Sequence, residues 1–263
     1  MKTKMKKILV GIPNYNNAAY IIETIESVLK QSYSGVDVVV FDNASTDDSV
    51  EVIEKNFLDN PRVVLKKSDS NVGPTMNHNR CIEYAIDNKY DYLKVLSSDD
   101  VLLPNIIQEQ FDSLESEPRG SFATCNMIVT DDKLTKVKEH AFLGSDVDGN
   151  SVIKKCASQS ANYIGGPSNG LLRVSCIGDI RFSPEYKWLS DLKFYCDLLA
   201  NRPFINTGTN GFFYRRHDNT DSGHVSKIKN LKKRESIRFS EEYGGNFLTK
   251  IKIHLRDIKS RLL

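Results

Sequence analysis

The stretch VLSSDDVLLP, Val95 to Pro104, sets two adjacent carboxylates between two apolar runs. Asp99 and Asp100 repel one another at the mouth of a buried segment, and such a pair is tolerable where a cation or a donor-rich ligand compensates it. The residues before the pair, YLKVLS, read as a strand. Pro104 suits the first turn of a following helix whose inner face is Ile107, Phe111 and Leu114. Strand, acid-bearing loop and helix in that order make the repeating unit of an open α/β sheet, where ligands bind outside the carboxyl ends of the strands.

Working outward, the same alternation recurs. KILVGIP is a strand, and NNAAYIIETIESVLKQSY follows with Ile21, Ile25, Val28 and Leu29 at helical spacing. VDVVVFD is a second strand, after which Ser45 and Asp48 form a capping-box pattern ahead of Val50, Ile53 and Phe57. RVVLKK is a third, separated from YLKVLS by a helix from about Thr75 to Asn88, and SFATCNMIVT is a further strand. This order predicts an α/β chain with a mainly parallel sheet covered by helices. Three polar clusters fall at carboxyl ends of strands, PNYNN, DNASTDDS and SSDD, and could line one crevice. The polar, Gly-dotted segment Thr130 to Gly165 reads as loops and short edge strands.

Composition narrows the class. Of 263 residues, 40% are hydrophobic and 27% charged, as in a soluble globular protein large enough for one α/β domain and a tail. The basic start MKTKMKK resembles a secretory signal, but Pro13 and Asn14 break the apolar run that follows too early. No stretch approaches the ~18 apolar residues of a spanning helix. The five cysteines are odd in number and lack a CxxC pair, which argues against zinc or disulfide chemistry and predicts a cytoplasmic protein.

Charge is unevenly spread. From His224 to Leu263 there are eleven Lys/Arg against four Asp/Glu, so a basic helical tail, 224–263, is expected after a body at 1–223. Phe247, Leu248, Ile251, Leu255, Ile258 and Leu262 form one stripe of that tail with Lys and Arg off it. A basic amphipathic helix can lie on an anionic membrane surface, dock on its own body or meet a second copy in a homodimer. Nucleic acid is not an expected partner, because no aromatic platform or recognised motif accompanies the charge.

Together VGIPNYNNAAYIIETIESVLKQSY, VVVFDNASTDDSVEVI, NVGPTMNHNRCIEYA and LSSDDVLLP resemble the family 2 glycosyltransferases, over about residues 7 to 217. These are inverting enzymes of the GT-A fold, a Rossmann-like mixed, mainly parallel sheet flanked by helices. The resemblance implies a nucleoside-diphosphate sugar donor, UDP- or dTDP-linked, a glycan or lipid-linked glycan acceptor, and a Mn²⁺ or Mg²⁺ cofactor. It is compatible with bacterial surface polysaccharide synthesis at the inner face of the cell membrane. Pro13, Tyr15, Asp42, Asn79 and Asp99 are then the donor-binding residues, Asp100 and His217 the metal ligands, and Asp191 the general base. Three positions depart from the family pattern. Ser97 replaces the first acid of Asp-x-Asp-Asp, Ser190 replaces the Glu of the Glu-Asp pair that carries the base, and His78 stands where Arg is common.

Each role has a chemical reason and a plainer competitor. Asp42 can accept the imide N–H of uracil or thymine, and it can equally close a turn with Ser45. Asp100 can ligate a hard cation, and acids before a helix also favour its dipole. Asp191 can take the acceptor proton, or it is an ordinary first-turn acid on the helix bearing Leu192, Tyr195, Leu198 and Leu199. The glycines of YIGGPSNGLLR would let backbone approach an acceptor, and Arg215 or Arg216 would neutralise phosphate. Two other functions remain open at this level. A sugar nucleotidyltransferase should carry a Gly-rich basic phosphate loop after the first strand, where GIPNYNN offers none. A catalytically silent glycan- or nucleotide-binding scaffold is suggested by Ser97 and Ser190.

Overall fold

The computed structural model describes residues 5–145, 147–217, 228–245, 249–250 and 252–253. The first half alternates β1 (Ile8–Asn14), α1 (Ile21–Leu29), β2 (Val36–Asp42), α2 (Ser49–Phe57), β3 (Val63–Lys67), α3 (Pro74–Asp87) and β4 (Tyr92–Val95). The second half holds β5 (Val101–Leu102), α4 (Ile106–Ser116), β6 (Phe122–Thr130), β7 (Lys136–His140), β8 (Val147–Asp148), α5 (Gly149–Gln159), β9 (Leu171–Arg173), α6 (Ser190–Leu199), β10 (Pro203–Arg215) and α7 (Leu231–Glu242).

The sheet runs β3-β2-β1-β4-β9-β6-β10-β5, with β7 on β6 and β8 on β10. β1 pairs in parallel with β2 from Ile8 opposite Val36 to Asn14 opposite Asp42, and with β4 from Ile8 opposite Tyr92. This register brings the polar ends of the strands to one side. The short β9 lies antiparallel between β4 and β6, so β6 and its parallel neighbour β10 point the same way as β1 and β4. β5 follows the acid pair directly and is pinned antiparallel to β10, with Leu102 opposite Phe212. That pairing is why the loop with Asp99 and Asp100 meets the end of β10.

Alternate residues of each strand point to opposite faces, and each face buries a different helical layer. Ile8, Val10, Ile12, Val38 and Val40 pack on α1, α2 and α4 through Ile21, Ile25, Ile53, Ile107 and Leu114. Leu9, Val39, Phe41, Leu93 and Val95 pack on α3, α5 and α6 through Ile82, Cys156, Phe194 and Leu198. Each such side chain contributes about 1.5–3 kcal/mol when fully buried. Gly11 allows α3 to approach β1 closely, since a Cβ there would lie 2.7 Å from Cys81 Cβ.

The order of strands and helices matches expectation, with three differences. α2 begins at Ser49, and Ser45 is turned toward Asp42 instead of capping the helix. The polar segment Thr130 to Gly165, expected to be loops and short edge strands, contains α5, an eleven-residue helix whose Val152, Ile153, Cys156 and Ala157 are buried and whose N-terminus is capped by Asp148 accepting from Ser151 N–H. Part of the expected tail is built into the body, because Phe239 of α7 belongs to the core beside Tyr186 and Phe194. The boundary placed at 223 and the stripe Phe247, Leu248, Ile251, Leu255, Ile258 and Leu262 lie outside the described residues. Among the described residues no helix is long and apolar enough to cross a membrane.

Candidate active site

The three polar clusters meet. Asn16 N–H donates to Ser45 Oγ (3.0 Å) and Asn17 N–H to Ser49 Oγ (3.1 Å), while Asn17 Nδ2 donates to Ser98 Oγ (2.7 Å). The loop after β1 therefore zips together the loops after β2 and β4.

At the floor of the first junction Asn14 is 0% exposed and donates from Nδ2 to Asp42 Oδ1 at 2.9 Å. Asp42, also buried, accepts from Ser45 N–H (3.0 Å) and Ser45 Oγ (2.5 Å). The turn with Ser45 is thus present, and it holds the carboxylate in place at the strand end. Asn14 Oδ1, beside it, is buried without a partner. An orphaned buried acceptor costs about 1–3 kcal/mol, so this oxygen is open to an incoming donor. Tyr15 stands at the rim, 42% exposed, whereas Pro13 is buried in β1 opposite Phe41.

Asn79 is bonded twice to the backbone of Phe182. Its Nδ2 donates to Phe182 O and its Oδ1 accepts from Phe182 N–H, both at 2.9 Å, so the amide clips α3 to the segment leading into α6. His78 Nδ1 lies 2.7 Å from Pro74 O on its own helix.

The acid pair is divided in its surroundings. Asp100 is 1% exposed, accepting from Ser168 Oγ at 2.5 Å and from Arg215 N–H at 3.2 Å. Burial, with the Asp99 charge adding to it, pushes the Asp100 carboxyl well above the ordinary range, against the opposing pull of Ser168 and Arg215. Asp99 Oδ2 lies 3.0 Å from His217 Nε2, and the His217 ring packs on Tyr20 with centroids 4.7 Å apart. Arg215, expected near phosphate, has its guanidinium engaged: Nε donates to Asp99 O (2.9 Å), and the terminal nitrogens reach Asp132 O and Glu23. It braces the acid loop from below, which leaves the exposed Arg216 as the arginine facing solvent.

A hard divalent cation fits this donor set in kind. Asp100 and Asp99 would supply carboxylate oxygens whose mutual repulsion a cation would relieve, and His217, beside Asp99, would add an imidazole nitrogen. Among the described residues no three acidic, histidine or cysteine groups already form a metal cage. Such an ion would draw its remaining ligands from phosphate and water.

Asp191 sits partly buried in the first turn of α6. Its Oδ1 accepts from Leu192 N–H at 2.8 Å, and its Oδ2 faces Gly166, where a Cβ would lie 3.5 Å away. Burial raises its pKa to about 6; the Leu192 N–H and its own N–H oppose the rise, and the charge of Glu235 adds to it.

One loop, Gly165 to Gly170, reaches both acids. Ser168 holds Asp100 and also accepts from Ser97 N–H (3.1 Å), while Gly166 borders Asp191. The loop needs its glycines: Gly165 has φ +120°, and a Cβ at Gly170 would strike the Tyr195 hydroxyl. Asn169 stiffens it, its Oδ1 accepting from Gly166 N–H (2.8 Å) and its Nδ2 donating to Cys125 O (2.7 Å). Beneath it lies the wholly buried Lys94, whose Nζ donates to Gln110 Oε1 (3.1 Å) and Gly170 O (3.4 Å); Gln110 in turn donates to Asn169 O (2.5 Å). Sequence reading passed over Ser168, Gln110 and Lys94. A lysine inside the apolar run YLKVLS was the signal available for the last.

The sequence pattern of the family described as Glycosyl transferase family 2 matches residues 9–176, more than half of the chain and the part that carries the acid pair and the whole of this loop. The chain belongs to glycosyl transferase family 2. Among curated relatives it is 28% identical over 110 residues to "Glycosyltransferase GlyG" of Streptococcus pneumoniae, covering 42% of this chain and 36% of that protein. To "Minor teichoic acid biosynthesis protein GgaA" of Bacillus subtilis it is 26% identical over 219 residues, 80% of this chain and 47% of that one. The family 2 chain therefore spans about a third to a half of the length of these relatives. Its fold is that of S. aureus TarS 1-349, solved in complex with UDP-GlcNAc, at a TM-score of 0.70 and 18% identity over 94% of this chain and 70% of that one.

Proposed function

We propose that this family 2 chain is an inverting, metal-dependent glycosyltransferase that moves one sugar from a UDP- or dTDP-linked donor to a hydroxyl of a glycan or lipid-linked glycan in bacterial surface polysaccharide synthesis. The observation that carries the reading is the loop Gly165 to Gly170, which bonds the buried Asp100 through Ser168 and borders, at Gly166, a carboxylate with a pKa of about 6.

Asp42, with the orphaned Asn14 Oδ1 beside it, offers an acceptor to the single imide N–H of a uracil or thymine base, with Tyr15 at the rim to cover its face. A divalent cation held by Asp100 and His217 would stabilise the charge of the departing diphosphate. Inversion is a single in-line displacement, and Asp191 takes the proton of the attacking hydroxyl. A base with a pKa near 6 is ionised at neutral pH yet remains basic enough to accept that proton. TarS structures with UDP and with UDP-GlcNAc support the donor class, and the relatives named for teichoic acid biosynthesis and as a chondroitin synthase support the acceptor class.

The test is calorimetry with UDP and dTDP, with and without Mn²⁺, followed by NMR of the sugar released from an α-linked donor. Metal-dependent binding and a β-configured first product are expected. Binding with no turnover of any donor or acceptor would favour the silent scaffold that Ser97 and Ser190 suggest, and absence of nucleotide binding would overturn the proposal.

A further inference from the structure

We propose that Glu235, on α7, is a positioning residue for Asp191, an inference that rests on the reading of Asp191 as the base. Glu235 is 5% exposed, and its carboxylate accepts three successive backbone N–H groups: Lys187 to Oε1 at 2.7 Å, then Trp188 and Leu189 to Oε2 at 2.8 and 2.9 Å. These three residues form the turn that enters α6, and Asp191 is the second residue of that helix.

Among the described residues the turn has no other anchor of this kind. Leu189, at the N-cap of α6, offers no side chain to the free N–H groups, and the Ser190 hydroxyl is directed back to Ser183 O at 3.2 Å. The carboxylate that an N-terminal helix turn ordinarily obtains from its own cap is supplied here from a helix more than forty residues later in the chain. Three charge-assisted bonds to consecutive amides fix the path of the backbone as well as its charge. With the entry turn held, Asp191 Oδ1 stays on Leu192 N–H and Oδ2 toward Gly166.

α7 is itself held firmly enough to act as a support. Phe239 is buried in the core, Glu242 accepts from Tyr186 Oη (2.8 Å) and Lys193 Nζ (2.7 Å), and Tyr243 bonds Asp197 on α6. Among the described residues the titratable groups that act on Asp191 are Glu235 from α7 and Tyr195 from its own helix; the Gly166 loop brings no charge. Replacing Glu235 by an uncharged side chain removes one repulsive charge and loosens the turn, and both changes move Asp191 toward an ordinary carboxylate.

The experiment uses the full chain and four variants, Glu235→Gln, Asp191→Asn, their double, and Glu242→Gln as a control for α7 docking alone. UDP affinity, hydrolysis of whichever of UDP-glucose, UDP-galactose and UDP-N-acetylglucosamine is turned over fastest, the pH profile and the ¹³C-carboxyl titration of Asp191 are measured. Glu235→Gln is expected to bind UDP within about twofold of wild type, to lose roughly 10- to 100-fold in kcat, a part of the usual worth of a general base, and to titrate Asp191 at lower pH. In the Asp191→Asn background it should cost nothing further. Glu242→Gln should lower the melting temperature and leave the profile unchanged. An unaltered Asp191 titration and kcat in Glu235→Gln, or full additivity in the double, overturns the inference. Normal turnover by Asp191→Asn overturns the base reading instead, whatever Glu235→Gln does to the titration. Should Glu235→Gln fail to fold, Glu235→Asp, which keeps the charge at shorter reach, is read by the same titration.

Discussion

Ser168 donates to the buried carboxylate of Asp100 at 2.5 Å across 68 residues of sequence, and through that bond the glycine-rich loop that borders Asp191 is fastened to the loop after β4. Loss of the hydroxyl should be felt on both sides. Ser168→Ala leaves a buried carboxylate short of a donor, so a loss of about 1–3 kcal/mol in stability is expected, together with weaker UDP binding and a lower kcat. Denaturant unfolding, calorimetry and turnover measured together decide this; a change confined to stability would show that the bond serves the fold alone.

Asp100→Asn keeps the shape and removes the anionic ligand. The affinity for UDP should then cease to depend on Mn²⁺ while the melting transition stays cooperative. Calorimetry across a Mn²⁺ series reads it, and an unchanged metal dependence would remove Asp100 from the metal site.

Asp191→Asn should leave UDP affinity near wild type and reduce turnover by roughly 10² to 10⁴. In the wild type, turnover should rise with pH through about 6 and then level, because the ionised carboxylate is the working form. Stability should move the other way. A carboxyl raised from 3.8 to about 6 binds its proton more tightly in the folded state, so the wild type loses stability as pH climbs through that window. The Asn variant escapes this loss. It should be more stable than wild type at pH 8 by at most about 3 kcal/mol and equal to it below pH 4, a difference that melting curves at the two pH values would reveal or refute.

Lys94→Met tests the anchor under the loop. Burial pushes the Lys94 pKa down to about 8, with Cys125 and Asp100 opposing, so the folded state favours the neutral amine. Wild-type stability should therefore gain at most about 3 kcal/mol between pH 8 and 10.5, and the methionine variant should show no such gain. Its kcat should fall, because Gly170 O and Gln110 lose their donor. Equal pH dependence in the two proteins would contradict a buried, titrating Lys94.

The residues from 246 onward carry the apolar stripe with Lys and Arg off it, and a basic amphipathic helix binds anionic lipid through both apolar burial and charge. The full chain should float with phosphatidylserine vesicles at low salt, and a chain ending at Gly245 should not, while retaining donor hydrolysis. A chain that stays off the vesicles at low salt would eliminate the membrane role.

Much of this protein is legible locally. The strands β1 to β4 announce themselves by apolar runs with polar ends, α1 and α6 by the spacing of their buried faces, and the acid pair by its place between two apolar runs. These are properties of neighbours in the chain, and neighbours determine which backbone conformation buries their apolar side. α5 was hidden because Gly149, Asn150, Ser151 and two lysines dilute a stripe that becomes plain only once Val152 and Cys156 have a sheet to pack on. What tertiary structure alone decided is which distant polar groups meet: Ser168 with Asp100, Asn79 with Phe182, and Glu235 with the turn before Asp191. A serine in a glycine-rich loop or a glutamate in a basic stretch has no spacing that names its partner. Its partner is set by strand register and helix docking, which place a buried donor and a buried acceptor within 3 Å only after the core has closed.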